Sequence, residues 1–146
     1  MTLQDILAAK GSAVYWIEPH ATLAEVAQKL VEHRVGALLV CTKDEEGQLQ
    51  LRGIVTERDI LYYCARQKVD LHATKVTEVM SSPVITGSPS DSVEQIMGLM
   101  TTKRIRHLPV IDQGKLAGVV SIGDVVKAQH ALLAVENRFM KDYIRG

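Results

Sequence analysis

Residues 19–40 read PHATLAEVAQKLVEHRVGALLV, and residues 89–110 read PSDSVEQIMGLMTTKRIRHLPV. Laid over one another at a constant offset of 70, they pair Pro19 with Pro89, Thr22 with Ser92, Leu23 with Val93, Leu30 with Met100, Arg34 with Arg104 and Val40 with Val110. After a loop five residues longer in the first copy the match resumes, so that GIVTERDIL at 53–61 faces GVVSIGDVV at 118–126. Self-similarity at a fixed spacing means that one supersecondary unit is used twice.

Each copy reads as strand, helix, strand, strand, helix. Val14–Ile17 and Val84–Thr86 are short extended pieces, each ended by a turn containing Pro. Thr22-x-x-Glu25 and Ser92-x-x-Gln95 are capping-box patterns that start a helix at the same point of both copies. Leu23, Val26, Ala27, Leu30 and Val31 keep helical spacing, as do Val93, Ile96, Met97 and Met100, which predicts a buried stripe. Gly36–Cys41 and Leu108–Ile111 have strand length, and turns at Asp44–Gly47 and Asp112–Gly114 lead to return strands at Leu49–Val55 and Leu116–Val120. Final helices are expected from Glu57 to Gln67 and from Gly123 to Tyr143, a linker helix at Lys75–Met80, and a further short helix in the first ten residues.

One such unit leaves an apolar face of its small sheet uncovered, and two copies can bury those faces together. The expected fold class is therefore α/β, of the α+β kind: tandem β-α-β-β-α repeats packed with pseudo-two-fold symmetry, with two equivalent clefts. By repeat the chain divides into 1–73, the first repeat with its N-terminal helix, and 74–146, the linker and second repeat with its C-terminal helix.

Composition narrows the class. The 146 residues suit one compact domain or two half-size units. With 47% apolar and 23% charged residues the chain is an ordinary globular protein, and one Trp and one Phe leave the core to Val, Ile, Leu, Ala and Met. Seventeen basic residues against seventeen acidic ones argue against a general nucleic-acid binder. Cys41 and Cys64 have no zinc or redox spacing and read as free thiols in a reducing compartment. Met1–Lys10 carries Asp5 and lacks the apolar run of a signal peptide. No segment approaches the roughly 18 apolar residues of a membrane span. A cytoplasmic protein without a membrane partner is expected.

Outside the apolar positions, the closest repetition is Thr56-Glu57-Arg58-Asp59 against Ser121-Ile122-Gly123-Asp124, where a return strand gives way to the final helix. Two readings apply. S/T-x-x-D is a capping box, with the hydroxyl on a backbone N–H and the acid in the first turn. A helix N-terminus also offers amides and a positive dipole end to phosphate, and a carboxylate beside it suits a ribose diol. Basic residues gather at the junction of first helix and second strand: Arg34 in the first copy, and Lys103, Arg104, Arg106 and His107 in the second. They suit a solvated helix end, where cations complement the dipole, and equally a bound phosphate, which Arg grips with its forked donors.

The doubled pattern G-h-h-[ST]-x-x-D with [HK]-R-[VI]-x-x-L-x-V resembles the CBS-domain family over about residues 12 to 130. One S/T-x-x-D is weak evidence; two at the ends of correctly ordered units are specific. The resemblance implies a Bateman module that binds adenosine-containing ligands such as AMP, ADP, ATP, NAD(H) or S-adenosylmethionine. Carried over, Asp59 and Asp124 hold ribose hydroxyls, and Thr56, Arg58, Ser121, Arg34, Arg104, Arg106 and His107 lie toward ribose or phosphate. Val14, Tyr15, Ile54, Val84, Ile85 and Val119 flank adenine. It further implies a homodimer and an effector protein that the sequence does not name.

The copies depart from each other and from the family. Gly123 stands where the first copy has Arg58, and Arg106 and His107 face Gly36 and Ala37, so unequal sites are expected. Trp16 and Leu39 replace a small polar residue and a Pro.

Phosphate-loop, dinucleotide, zinc-protease and serine-hydrolase signatures are absent. His20, His33, His72, His107 and His130 have no paired metal spacing, and Glu57 and Asp59, two apart, do not face each other as an acid and base. Tyr62 and Tyr63 read as packing residues. The final helix, with Leu132, Leu133, Val135, Phe139 and Tyr143, carries more apolar surface than one repeat needs, and packs on the first repeat or on a second subunit. The rival to a nucleotide sensor is a structural dimerisation module without a ligand; an enzyme has no catalytic constellation behind it.

Overall fold

The computed structural model describes residues 1–66 and 70–145. In chain order the elements are α1 (Leu3–Lys10), β1 (Trp16–Ile17), α2 (Leu23–His33), β2 (Ala37–Lys43), β3 (Leu49–Thr56), α3 (Glu57–Arg66), a single 3-10 turn (Val76–Glu78), α4 (Val93–Lys103), β4 (His107–Asp112), β5 (Lys115–Ser121) and α5 (Ile122–Arg145). They form two compact units, one made of Val14–Ile85 and the other of Met1–Ala13 with Thr86–Gly146. No helix among the described residues is long and apolar enough to cross a membrane.

In the Val14–Ile85 unit, β1 pairs parallel with β2, and β2 antiparallel with β3. Thr22 caps α2 by accepting the Glu25 amide, so that Leu23, Val26 and Leu30 turn inward. Val26 and Leu30 pack with Ile17, Ala21, Leu38, Val40, Val55 and Val76. Cys41, buried on β2, has its thiol pushed up to about 11 by desolvation, which leaves it protonated and inert at neutral pH.

The other unit repeats this plan. Ser92 caps α4 through the Gln95 amide, and Val93, Ile96 and Met100 pack on Leu108, Val110 and Val120 with Val125 and Ala128 of α5. The strand expected at Val84–Thr86 does not form. In its place Gly87 alone bridges β4, donating to the Pro109 carbonyl at 2.9 Å and accepting the Ile111 amide at 2.8 Å. A Cβ on Gly87 would stand 2.9 Å from Leu3 Cδ1 and 2.8 Å from Leu108 Cδ2. Leu3 thus fills the space that the equivalent Ile17 side chain takes in the other unit. The expected linker helix at Lys75–Met80 shrinks to the one turn Val76–Glu78, and the expected end of α3 at Gln67 lies outside the described residues.

Division by compactness differs from division by repeat, because the leader of each repeat docks on the other repeat's first helix. Leu3 donates its amide to Asp91 and Val93 donates to Met1; in the same way Val76 donates to Ala21 and Leu23 donates to Thr74. Leu3 and Val76 are fully buried at these joints. The leaders are themselves alike, each opening with an acid that accepts the amide three residues before it, Asp5 from Thr2 and Glu78 from Lys75. The N-terminal helix α1 thus packs in the same compact unit as α4, β4, β5 and α5, where Leu3, Ile6 and Leu7 join the core.

The joint also explains two glycines. A Cβ on Gly53 would lie 2.5 Å from Met80 Sδ and 3.0 Å from the Ser81 carbonyl, and one on Gly118 2.7 Å from Leu7 Cδ2. Leader and return strand touch closely there. Gly53→Val is expected to lower stability by about 1–3 kcal/mol through overpacking. Gly98→Ala, on the exposed side of α4 with nothing within 4 Å of the added carbon, is expected to raise it by about 0.5–1 kcal/mol. Urea unfolding of both variants against the parent chain checks the pair.

Candidate functional site

Each return strand ends by turning directly into a helix. On β3, Gly53 and Val55 face the core, while Ile54 and Thr56 lie half-buried on the other face, as the period of two requires. Val119 and Ser121 hold the same positions on β5. Thr56 donates its amide to Asp59 Oδ2 at 2.9 Å, and Asp59 returns its own amide to Thr56 Oγ1 at 3.1 Å. Ser121 and Asp124 make the same exchange at 2.8 and 3.1 Å. The capping reading of S/T-x-x-D is thus realised in both copies. It engages Oδ2 of each acid and holds both carboxylates, half-buried, at the sheet–helix corner.

The next amide in each corner is also taken. Glu57 donates to the Gly36 carbonyl at 3.0 Å and Ile122 to the Arg106 carbonyl at 2.8 Å. These bonds tie the segment leading into β2 or β4 against the helix start. With register pairs Ala37–Thr56 and His107–Ser121, they bring Arg106 and His107 beside Ile122 and Ser121. His107 is half-buried and Arg106 is exposed.

Arg34 and Arg104 close α2 and α4 in the left-handed conformation, both at φ 54°, and both are exposed. Each donates its amide back to the last helical turn, and the following residue does the same, Val35 to Leu30 and Ile105 to Met100. Glycine is the usual residue here, since a side chain in this conformation costs on the order of 1 kcal/mol. Holding arginine at this position in both copies is a local cost without a packing return. Arg58 lies exposed in the first turn of α3.

The residues expected around a base are less uniform. Tyr15, just ahead of β1, accepts the Leu39 amide on its carbonyl, and its exposed ring stacks on His33 with centroids 4.5 Å apart. Val14 is half-buried beside it. Ile54 exchanges backbone bonds with Ser81 at 3.1 and 2.9 Å; Val84, three residues further on, is half-buried and Ile85 exposed.

Val119, the counterpart of Ile54, has a different neighbour. Lys10 reaches from the last turn of α1 and donates its ammonium to the Val119 carbonyl at 3.0 Å and to Asp124 Oδ2 at 2.7 Å. Sequence reasoning missed this residue, which lies 114 positions from its partner and in no motif. Burial pulls the Asp124 carboxyl upward, but hydrogen bonds from Lys10 and Ser121 outweigh it and hold it below the ordinary carboxylate value.

The family profile described as CBS domain matches residues 4–66 and 76–131. A putative signal-transduction protein with CBS domains from Burkholderia ambifaria is 40% identical, with a TM-score of 0.83 over 90% of this chain and 95% of that one. A CBS-domain protein from Pyrobaculum aerophilum solved with AMP is 29% identical, with a TM-score of 0.72 over 85% of this chain and 89% of that one. The CBS-domain pair of protein MJ0100, solved with 5-methylthioadenosine and S-adenosyl-L-methionine, is 25% identical, with a TM-score of 0.74 over 90% and 97%.

A carboxyl whose folded value is depressed stabilises the fold above its unfolded value and loses that contribution as the pH falls through the folded one. For Asp124 the loss sets in below about the ordinary 3.8. Asp124→Asn is therefore expected to be less stable than the parent at pH 6, with the gap narrowing toward pH 3 in parallel thermal melts. A gap that stays constant with pH would mean that the ionised carboxylate contributes nothing.

Proposed function

The chain belongs to the CBS-domain family, and on that premise we propose that it is a regulatory sensor module that binds an adenine nucleotide (AMP, ADP, ATP or NAD(H)) and passes the ligand state to an effector protein. The observation that carries this reading is the doubled corner, where a hydroxyl–carboxylate box fixes an acid at the sheet–helix turn of each repeat. In the proposal Asp59 and Asp124 accept ribose hydroxyls. Thr56 and Ser121 act by positioning those acids, and Arg34, Arg58, Arg104, Arg106 and His107 supply charge to phosphate. Val14, Tyr15, Ile54, Val84, Ile85 and Val119 flank the base. The AMP-bound and S-adenosyl-L-methionine-bound neighbours support an adenosine ligand as the class.

The proposal contains no catalytic step. The amides of Glu57, Asp59, Ile122 and Asp124 are engaged by protein, which supports giving phosphate recognition mainly to side chains, Arg34 and Arg104 among them. With no net charge overall, this local cationic supply attracts a small anion without making the protein a nucleic-acid binder.

A second reading, a dimerising interaction module without a ligand, is favoured by α5. There Phe139, Tyr143 and Ile144 are 72%, 86% and 77% exposed, an apolar surface larger than a solvated helix needs. The two readings are compatible in a homodimer that also binds nucleotide, and separate on one measurement. Ligand that binds the native state raises the melting temperature, whereas a pure scaffold ignores it.

Calorimetric titration with AMP, ATP and NAD(H) is expected to give saturable heat. Asp59→Ala is expected to weaken binding by about 10- to 100-fold, as loss of a charged hydrogen-bond acceptor does. No heat with any of the three at millimolar concentration would defeat the nucleotide reading. Unchanged affinity in Asp59→Ala would defeat the ribose assignment.

A further inference from the structure

Resting on the nucleotide reading, we propose that Lys10 is a built-in occupant of the second acidic corner, so that the Asp59 site fills first and the Asp124 site fills only when Lys10 is displaced. The ammonium stands on the Asp124 carboxylate at 2.7 Å and on the Val119 carbonyl at 3.0 Å. Asp124 Oδ2 already accepts the Ser121 amide, so a ribose hydroxyl approaching that oxygen meets a filled acceptor.

The first corner differs in a definable way. There the strand carbonyl equivalent to Val119 is that of Ile54, and it accepts the backbone amide of Ser81, which brings no charge. Among the described residues Asp59 makes no ion pair. The cause lies in the leaders. Both dock on the return strand of the other repeat, Met80 against Gly53 and Leu7 against Gly118. The second leader, past its single helical turn, runs on as extended chain and Ser81 bonds the strand edge, whereas α1 continues as helix to Lys10, and the lysine side chain does the bonding.

The contact is built to open. Lys10 and Asp124 side chains are 38% and 24% exposed, so water can take over the ammonium when it leaves. Gly11 follows at φ 94° and ends the helix, so that Lys10 is the last helical residue and its movement disturbs no further turn. The lysine also sits at the helix end where the dipole favours a cation, a preference it keeps in either position.

The test isolates the second corner by removing the first. Asp59→Ala and the double variant Asp59→Ala/Lys10→Met are titrated with AMP by calorimetry. Removing the competing ion pair is expected to tighten AMP binding at the remaining site by about 2- to 5-fold, the range for a partly exposed pair. Equal or weaker binding in the double variant overturns the proposal, weaker binding meaning that Lys10 serves the ligand. A ligand-free readout keeps the contact separate from the nucleotide. In the Lys10→Met single variant, the Asp124 carboxyl followed by carbon NMR is expected to titrate at higher pH than in the parent protein. An unchanged titration overturns the latch whatever binds. A shifted titration with no AMP heat from the parent protein or the Lys10→Met variant sinks the nucleotide reading, and the gating of a nucleotide site falls with it.

Discussion

The constraint on which the site depends is the reciprocal bond between a strand-end hydroxyl residue and the acid three positions on. A β-strand that must become a helix within one residue leaves unpaired amides at the turn. Thr56 with Asp59, and Ser121 with Asp124, satisfy them from within the chain. The same bonds fix each carboxylate in one rotamer at the end of a half-buried strand face. Capping and the proposed recognition are therefore compatible readings of the motif: the cap holds the acid in place for the diol that the proposal assigns to it. A carboxylate held in place before the ligand arrives loses little side-chain entropy on binding.

The second organising feature is the exchange of leaders. Each repeat lends its opening segment to the other's core, burying Leu3 in one unit and Val76 in the other through matching backbone bonds. Symmetry holds at these joints and fails just past them, where α1 runs on as a helix and the linker does not. The difference in leader conformation is what puts a cation on Asp124 and, among the described residues, none on Asp59. Duplicated modules can thus acquire unequal sites without altering the motif itself, by changing what the leader brings to it.

Much of the fold is legible in the chain because its signals are local. The capping boxes at Thr22 and Ser92 place the starts of α2 and α4, and the turns at Asp44–Gly47 and Asp112–Gly114 place the return strands. The failures are all non-local. Val84–Thr86 reads as a strand by likeness to Val14–Ile17, but Leu3 from a distant segment fills the space of the missing side chain, and only Gly87 reaches β4. The short helix at the start precedes the first repeat along the chain, and only tertiary packing reveals that Leu3, Ile6 and Leu7 join the core that holds Val93 and Leu108. Lys10 belongs to no pattern at all. Its role follows from tertiary placement, which spacing along the chain does not encode.

The central claim is that the acid-bearing corner of the first repeat receives an adenosine. Its most direct test is an amide-resolved NMR titration of the whole protein with AMP. Saturable shifts at Ile54, Thr56 and Asp59, preceding any change at Ser121 and Asp124, are the expected result. Shifts confined to α2 or α5, or a spectrum that ignores AMP at millimolar concentration, would contradict it.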